Sequence, residues 1–133
     1  MSATPPPLDG ILETVVYCGP DTEDDVKRFY RDTLGLKEVL KGFAYRLGSH
    51  LLLVFNVEES SVQDDPPPHG ARGPGHTCFR TDGEHYEGWK EYLQERDIEI
   101  TRELSWGNGT RSFYFEDPAG NVLEIADGDM WPR

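Results

Sequence analysis

Glu13 interrupts the run Ile11-Leu12-Glu13-Thr14-Val15-Val16-Tyr17, which is otherwise built of residues suited to a buried strand. Glu124 stands the same way in Asn121-Val122-Leu123-Glu124-Ile125-Ala126. A carboxylate in such a place either faces solvent or must be paired, because burying it alone is costly. His76 opens a third strand-like run, His76–Thr81. A lone strand histidine is more often satisfied by a hydrogen bond, but imidazole is also the commonest metal ligand. Taken together, two carboxylates and an imidazole are an ordinary donor set for a divalent ion. The ion would also relieve the repulsion between two acids on one sheet face.

Other side chains fall into place around these three. With a period of two along a strand, Tyr17 shares a face with Glu13, and Arg80 shares one with His76 and Cys78. Arg80 suits an anionic substrate group or an ion pair at the strand end. Ser112 and Tyr114 share a face, and Trp106 sits in the glycine-rich loop Ser105-Trp106-Gly107-Asn108-Gly109, where rim loops often meet ligand. These four, Tyr17 and Leu53 are candidate substrate-binding residues. Cys78 has no neighbour in sequence that would lower its pKa, so no nucleophile is assigned. His69 lies between Pro68 and Gly70 and carries no expected role, and His50 and His85 read as surface residues. Neither a phosphate-binding glycine loop nor a G-x-S-x-G elbow is present.

The elements that must carry these residues follow from periodicity and breakers. Residues 11–18 read as a strand, ended by Gly19-Pro20. A helix capped at Asp21 or Thr22 follows, with Val26, Phe29, Tyr30, Thr33 and Leu34 at helical spacing, acids in its first turn and Gly35 as a left-handed cap. Strands are expected over 36–40, 43–47 and 50–56, turned at Gly42 and Gly48. After a Pro/Gly-rich break the order restarts: a strand at 76–81, a helix capped by Asp82 and carrying Tyr86, Trp89 and Leu93, then strands at 98–100, 111–116 and 122–126.

The order strand, helix, strand, strand, strand thus occurs twice. Laying the halves together puts Glu13 on His76 and, with His50 set on Asn121, Leu53 opposite Glu124. The expected organisation is a flexible tail over 1–9 and one domain over 10–133. That domain comprises module 1 (10–57), a linker (58–74), module 2 (75–127) and a short C-terminal tail.

Composition narrows the function classes. The 133 residues carry 13 basic and 25 acidic side chains, a formal charge of −12. Such a chain repels phosphate backbones and anionic lipid, so neither nucleic acid nor membrane is an expected partner. No apolar run reaches the roughly 20 residues of a membrane span, and residues 1–7 have neither the basic nor the apolar part of a signal peptide. Two cysteines make no disulfide framework, which points to a reducing, cytoplasmic setting.

Several stretches resemble the vicinal oxygen chelate superfamily, the glyoxalase/bleomycin resistance/dioxygenase proteins. They are Ile11–Tyr17, Phe29-Tyr30, Leu34-Gly35-Leu36, Gly75–Phe79 and, most specifically, Phe113-Tyr114-Phe115-Glu116-Asp117-Pro118-Ala119-Gly120-Asn121-Val122-Leu123-Glu124. The resemblance implies an α+β fold of two βαβββ modules forming a cupped mixed sheet, with metal ligands at Glu13, His76 and Glu124. It departs from the family at residue 13, where histidine is common, and at Leu53, where glyoxalase I enzymes carry an acidic or amide ligand. A Glu-His-Glu set leaves a dication near neutral, hence a weaker Lewis acid. What the resemblance implies is a small-molecule site holding a divalent ion (Zn, Mn, Fe, Ni or Mg) in an enzyme of lyase, isomerase, transferase or dioxygenase type. The alternative is a metal-free drug- or metabolite-sequestering protein of the bleomycin-resistance kind. The apolar strands and Met130-Trp131 leave surface to cover, so a homodimer is expected.

Overall fold

The computed structural model describes residues 4–40 and 42–132. The first three residues of the expected tail and the final residue of the C-terminal tail lie outside the described residues. Among the described residues eight strands form two four-stranded mixed sheets. The first sheet has the order β1-β4-β3-β2, from β1 (Glu13–Cys18), β2 (Lys37–Leu40), β3 (Ala44–Leu47) and β4 (His50–Asn56). The second has the order β5-β8-β7-β6, from β5 (His76–Arg80), β6 (Arg102–Ser105), β7 (Arg111–Glu116) and β8 (Val122–Ala126). In each, the first and last strands run parallel and the rest are antiparallel. The doubled βαβββ order expected from the sequence is the observed one, and the fold is α+β.

The helices connect the parallel pairs. α1 (Glu23–Arg28) continues into a π-helical turn, Phe29–Thr33, and ends at Gly35, whose φ of +74° is the left-handed cap the sequence predicts. Thr22 makes no side-chain cap; its hydroxyl donates to the Gly19 carbonyl instead. α3 (Tyr86–Glu95) starts behind Asp82, which accepts the His85 amide. Two expectations are corrected. The segment 98–100 is not a strand: Ile98 N–H bonds the helix carbonyl of Leu93, and the pairing begins at Arg102. Both isoleucines still pack on the core. Their alternation reflects core packing, and the strand starts four residues after Ile98. The expected linker begins with a helical turn, α2 (Val57–Ser60), capped by the Asn56 side chain on Glu58 N–H.

The helix-bearing faces of both sheets share one core. Val16, Cys18, Leu52 and Val54 from the first meet Phe113, Phe115, Leu123 and Ile125 from the second around Val26, Phe29, Tyr30, Tyr86 and Leu93. Phe29 packs on Phe115, and the Tyr92 hydroxyl donates to the Thr33 carbonyl. The faces opposite the helices therefore point away from this core. Among the described residues no helix is long and apolar enough to cross a membrane.

One buried carboxylate locks the modules together. Asp117, 5% exposed, accepts from the Tyr30 hydroxyl (2.7 Å), from Ala119 and Asn121 N–H, and from Asn121 Nδ2. Burial, then the Asp117 charge, pushes the Tyr30 hydroxyl above its ordinary range. Asp117→Ala strips four donors of their acceptor and is expected to cost about 3 kcal/mol, and Tyr30→Phe about 1–2 kcal/mol. Urea unfolding of both variants checks the order.

A second expectation concerns acid. Glu103 accepts from Lys90 and Tyr86, joining β6 to α3. Lys90, then Tyr86, holds its carboxyl below the ordinary 4.5. A depressed carboxyl contributes stability above its unfolded value, and that contribution is lost as pH falls through the folded one. Wild type should thus lose its advantage over Glu103→Gln below pH 4.5. The pair is partly exposed, so less than ~1 kcal/mol is at stake.

Candidate functional site

The parallel registers give the two modules the same frame. Glu13 lies opposite Leu51, and His76 opposite Val122. Two residues further along, Leu53 and Glu124 occupy equivalent positions, the first between Val15 and Ala44, the second between Cys78 and Tyr114. All these residues lie on the faces turned away from the helices.

On the second sheet His76 and Glu124 meet. His76 Nε2 is 3.2 Å from Glu124 Oε1. His76 Nδ1 is 2.9 Å from the Val122 carbonyl, which can only accept, so Nδ1–H donates to it. The neutral ring then presents the Nε2 lone pair to a carboxylate. Two acceptors at that separation need a proton between them or a metal ion beside both. Glu124 is 4% exposed, and its Oε2 is buried with no hydrogen-bond partner among the described residues. A buried carboxylate oxygen without a donor is the feature a metal would satisfy. The bond from His76 Nδ1 to a backbone carbonyl is the support a ligating histidine ordinarily has. The chemistry of this pair fits a divalent ion.

The surroundings hold the pair in place. The Tyr114 ring stacks on His76, centroids 6.1 Å apart and 25° between planes. Burial, then the adjacent Glu124, raises the Tyr114 hydroxyl. Trp106 Nε1 donates to Ser112 Oγ at 3.0 Å, so the glycine-rich loop folds over a fully buried serine. Cys78 is exposed opposite Glu124; burial of its thiol, then that carboxylate, pushes it up to about 12. It is no thiolate nucleophile. Arg80 is exposed at the end of β5, opposite Ala126, and makes no ion pair among the described residues. His76, Glu124, Arg80, Trp106, Ser112 and Tyr114 thus occupy one sheet.

Glu13, Leu53 and Tyr17 occupy the other. Glu13 is exposed at the start of β1, and Leu53 is buried at 7%. Among the described residues no three His, Cys, Asp or Glu side chains form a cluster able to hold a metal. Within one chain, therefore, His76 and Glu124 come together and Glu13 does not join them. Tyr17 has a partner that sequence reasoning passed over: its hydroxyl is 2.6 Å from His69 Nδ1. Nothing in the spacing of Pro66-Pro67-Pro68-His69-Gly70 says that this segment returns to the sheet.

Comparison with known proteins agrees with this architecture. The family model described as Glyoxalase/Bleomycin resistance protein/Dioxygenase superfamily matches residues 12–125. A solved structure of lactoylglutathione lyase from Agrobacterium tumefaciens is 39% identical, covers 94% of this chain and 98% of its own, and superposes with a TM-score of 0.86. The metallothiol transferase FosB of Staphylococcus epidermidis is 25% identical over 109 residues, 80% of this chain and 74% of the relative. A glyoxalase/dioxygenase from Nostoc punctiforme, 20% identical with a TM-score of 0.70 over 95% of this chain and 97% of that one, shares the fold. With the doubled module, the matched span and the 39% identity all in agreement, the chain belongs to the glyoxalase/bleomycin resistance protein/dioxygenase superfamily.

Proposed function

We propose that this protein is a homodimeric, divalent-metal-dependent enzyme of the lyase or transferase kind, acting on a small molecule that offers two oxygens to the ion. The observation that carries the reading is the His76–Glu124 pair, two acceptors 3.2 Å apart with a buried orphan oxygen behind them. The relatives support it: one is a lactoylglutathione lyase, another a metallothiol transferase. When bound, the ion would supply Lewis-acid stabilisation of a developing oxyanion.

His76 and Glu124 would hold it from one chain and Glu13 of the partner subunit from the other. Glu13 and His76, on the faces turned away from the helices, are both exposed, β1 and β5 each end a sheet, and Ile11, Leu12 and Trp131 are exposed at 75%, 67% and 72%. A second copy covers these features and lays the Glu13 face over the His76 face by twofold symmetry. Leu53, where a fourth ligand would stand, makes the site a three-donor one. Closure by the partner would exclude water from the site, which strengthens the ion's hold on a developing oxyanion. Trp106 and Tyr114 form the wall, and Arg80 meets an anionic substituent. The setting is the cytoplasm.

Metal titration of the dialysed protein tests this. Wild type should bind one zinc or manganese per chain, and His76→Ala, Glu124→Gln and Glu13→Gln should each lose at least about tenfold in affinity. Unfolding and co-refolding His76→Ala with Glu13→Gln should restore about a quarter of the sites, since half the dimers are mixed and each of those has one intact site. No binding by wild type ends the metal reading in favour of a sequestering module; binding without complementation ends the shared site.

Replacing Glu13 by histidine keeps a ligand and raises the site's charge by one. Zinc and nickel should gain over magnesium in competition titrations of Glu13→His.

A further inference from the structure

The segment between the modules is not a free connector. Gly70 lies so close to Val57 that a Cβ would meet its Cγ2 at 2.8 Å. His69 N–H donates to the Ser60 carbonyl at 3.0 Å, and Gln63 Nε2 to that of Pro67. These contacts deliver the His69 ring onto the first sheet, edge-on to Phe55 (5.2 Å between centroids, 78°) and tilted against Tyr17 (5.8 Å). Phe43 extends the cluster, 5.8 Å from Phe55. All four rings are only half-buried. Tyr17 and Phe55 face each other across the strands on the same side as Glu13 and Leu53. Four residues of strand separate Tyr17 from Glu13, about 13 Å, and two separate Phe55 from Leu53, about 7 Å.

The His69 ring has one nitrogen committed to Tyr17 and one, Nε2, with no hydrogen bond among the described residues. Its orientation is fixed and its free nitrogen is available. Three aromatic rings and one polar atom on the sheet face that carries Glu13 have the composition of a recognition site. We propose that His69, Tyr17, Phe55 and Phe43 form a subsite for an aromatic ring bearing a hydroxyl. The ring stacks on the aromatic wall, and the hydroxyl meets Nε2. A hydroxyl both donates and accepts, so it satisfies Nε2 in either tautomer. The subsite belongs to one chain and needs no metal, and its test is independent of the metal reading.

The probe is 2-naphthol, titrated into the full-length, metal-free protein, with affinity read by calorimetry and its location by NMR of the His69 ring. Wild type should bind it, shifting the His69 ring signals, and should bind cyclohexylmethanol more weakly. Stacking contacts of this kind predict a loss of about 2- to 12-fold for Phe55→Leu and for His69→Ala. Tyr17→Phe keeps the packing and frees only Nδ1; it should bind more weakly than wild type, with the His69 ring signals no longer unique. Trp89→Phe, on α3 and away from both of these sheet faces, should bind as wild type does, and thermal midpoints confirm that each variant is folded. No binding by wild type, equal affinity in wild type and His69→Ala, or loss of binding in Trp89→Phe alone would overturn the assignment.

Discussion

The architecture turns on the buried carboxylate of Asp117. It receives the Tyr30 hydroxyl from the first module and three donors from its own β7–β8 turn. Asn121 carries the link onward. Its Nδ2 also donates to the Tyr17 carbonyl, and its Oδ1 accepts Gly75 N–H. Every polar atom of that side chain is used. The starts of β5 and β8 and the end of β1 are thus tied to one charged, fully satisfied centre. A network of that kind fixes geometry because each member left alone would be a costly buried polar group.

That constraint reaches the site through the strands it ties. Gly75 and Asn121 precede His76 and Val122, so anchoring them sets the register in which His76 Nδ1 finds the Val122 carbonyl and Nε2 finds Glu124. Tyr17, held by its backbone at Asn121, holds His69 by its side chain. The metal-type pair and the aromatic wall lie on different sheets yet hang from the same junction. A shared core on the helix side leaves both faces outward. That is why the three sequence-derived donors divide two and one within a chain.

The contrast between equivalent positions is chemical. Leu53 and Glu124 occupy the same place in the two modules, as do Glu13 and His76, and Tyr17 and Arg80. One module presents a carboxylate over apolar and aromatic residues; the other presents an imidazole, a buried carboxylate and a cation. A near-duplicated backbone supports two unlike surfaces because side chains alternate along a strand, and only the helix-facing set must serve the core.

The order of strands and helices, the left-handed cap at Gly35, the pairing of Glu13 with His76 and of Leu53 with Glu124, and the strands 111–116 and 122–126 were all legible in the sequence. They depend on local periodicity, on glycine's access to positive φ and on acids that apolar strands cannot bury without a reason. The family was legible too, in the strand-turn-strand around Asp117-Pro118-Ala119-Gly120-Asn121. Tertiary structure decided the rest. Ile98 and Ile100 alternate as a strand would, but they are held by the end of α3 and by core packing instead of by a ladder. His69 has no local signal, because its ring contacts are made with residues more than ten positions away in β1 and β4. The separation of Glu13 from His76 and Glu124 follows from which faces of the two sheets pack together, a choice that alternation alone leaves open.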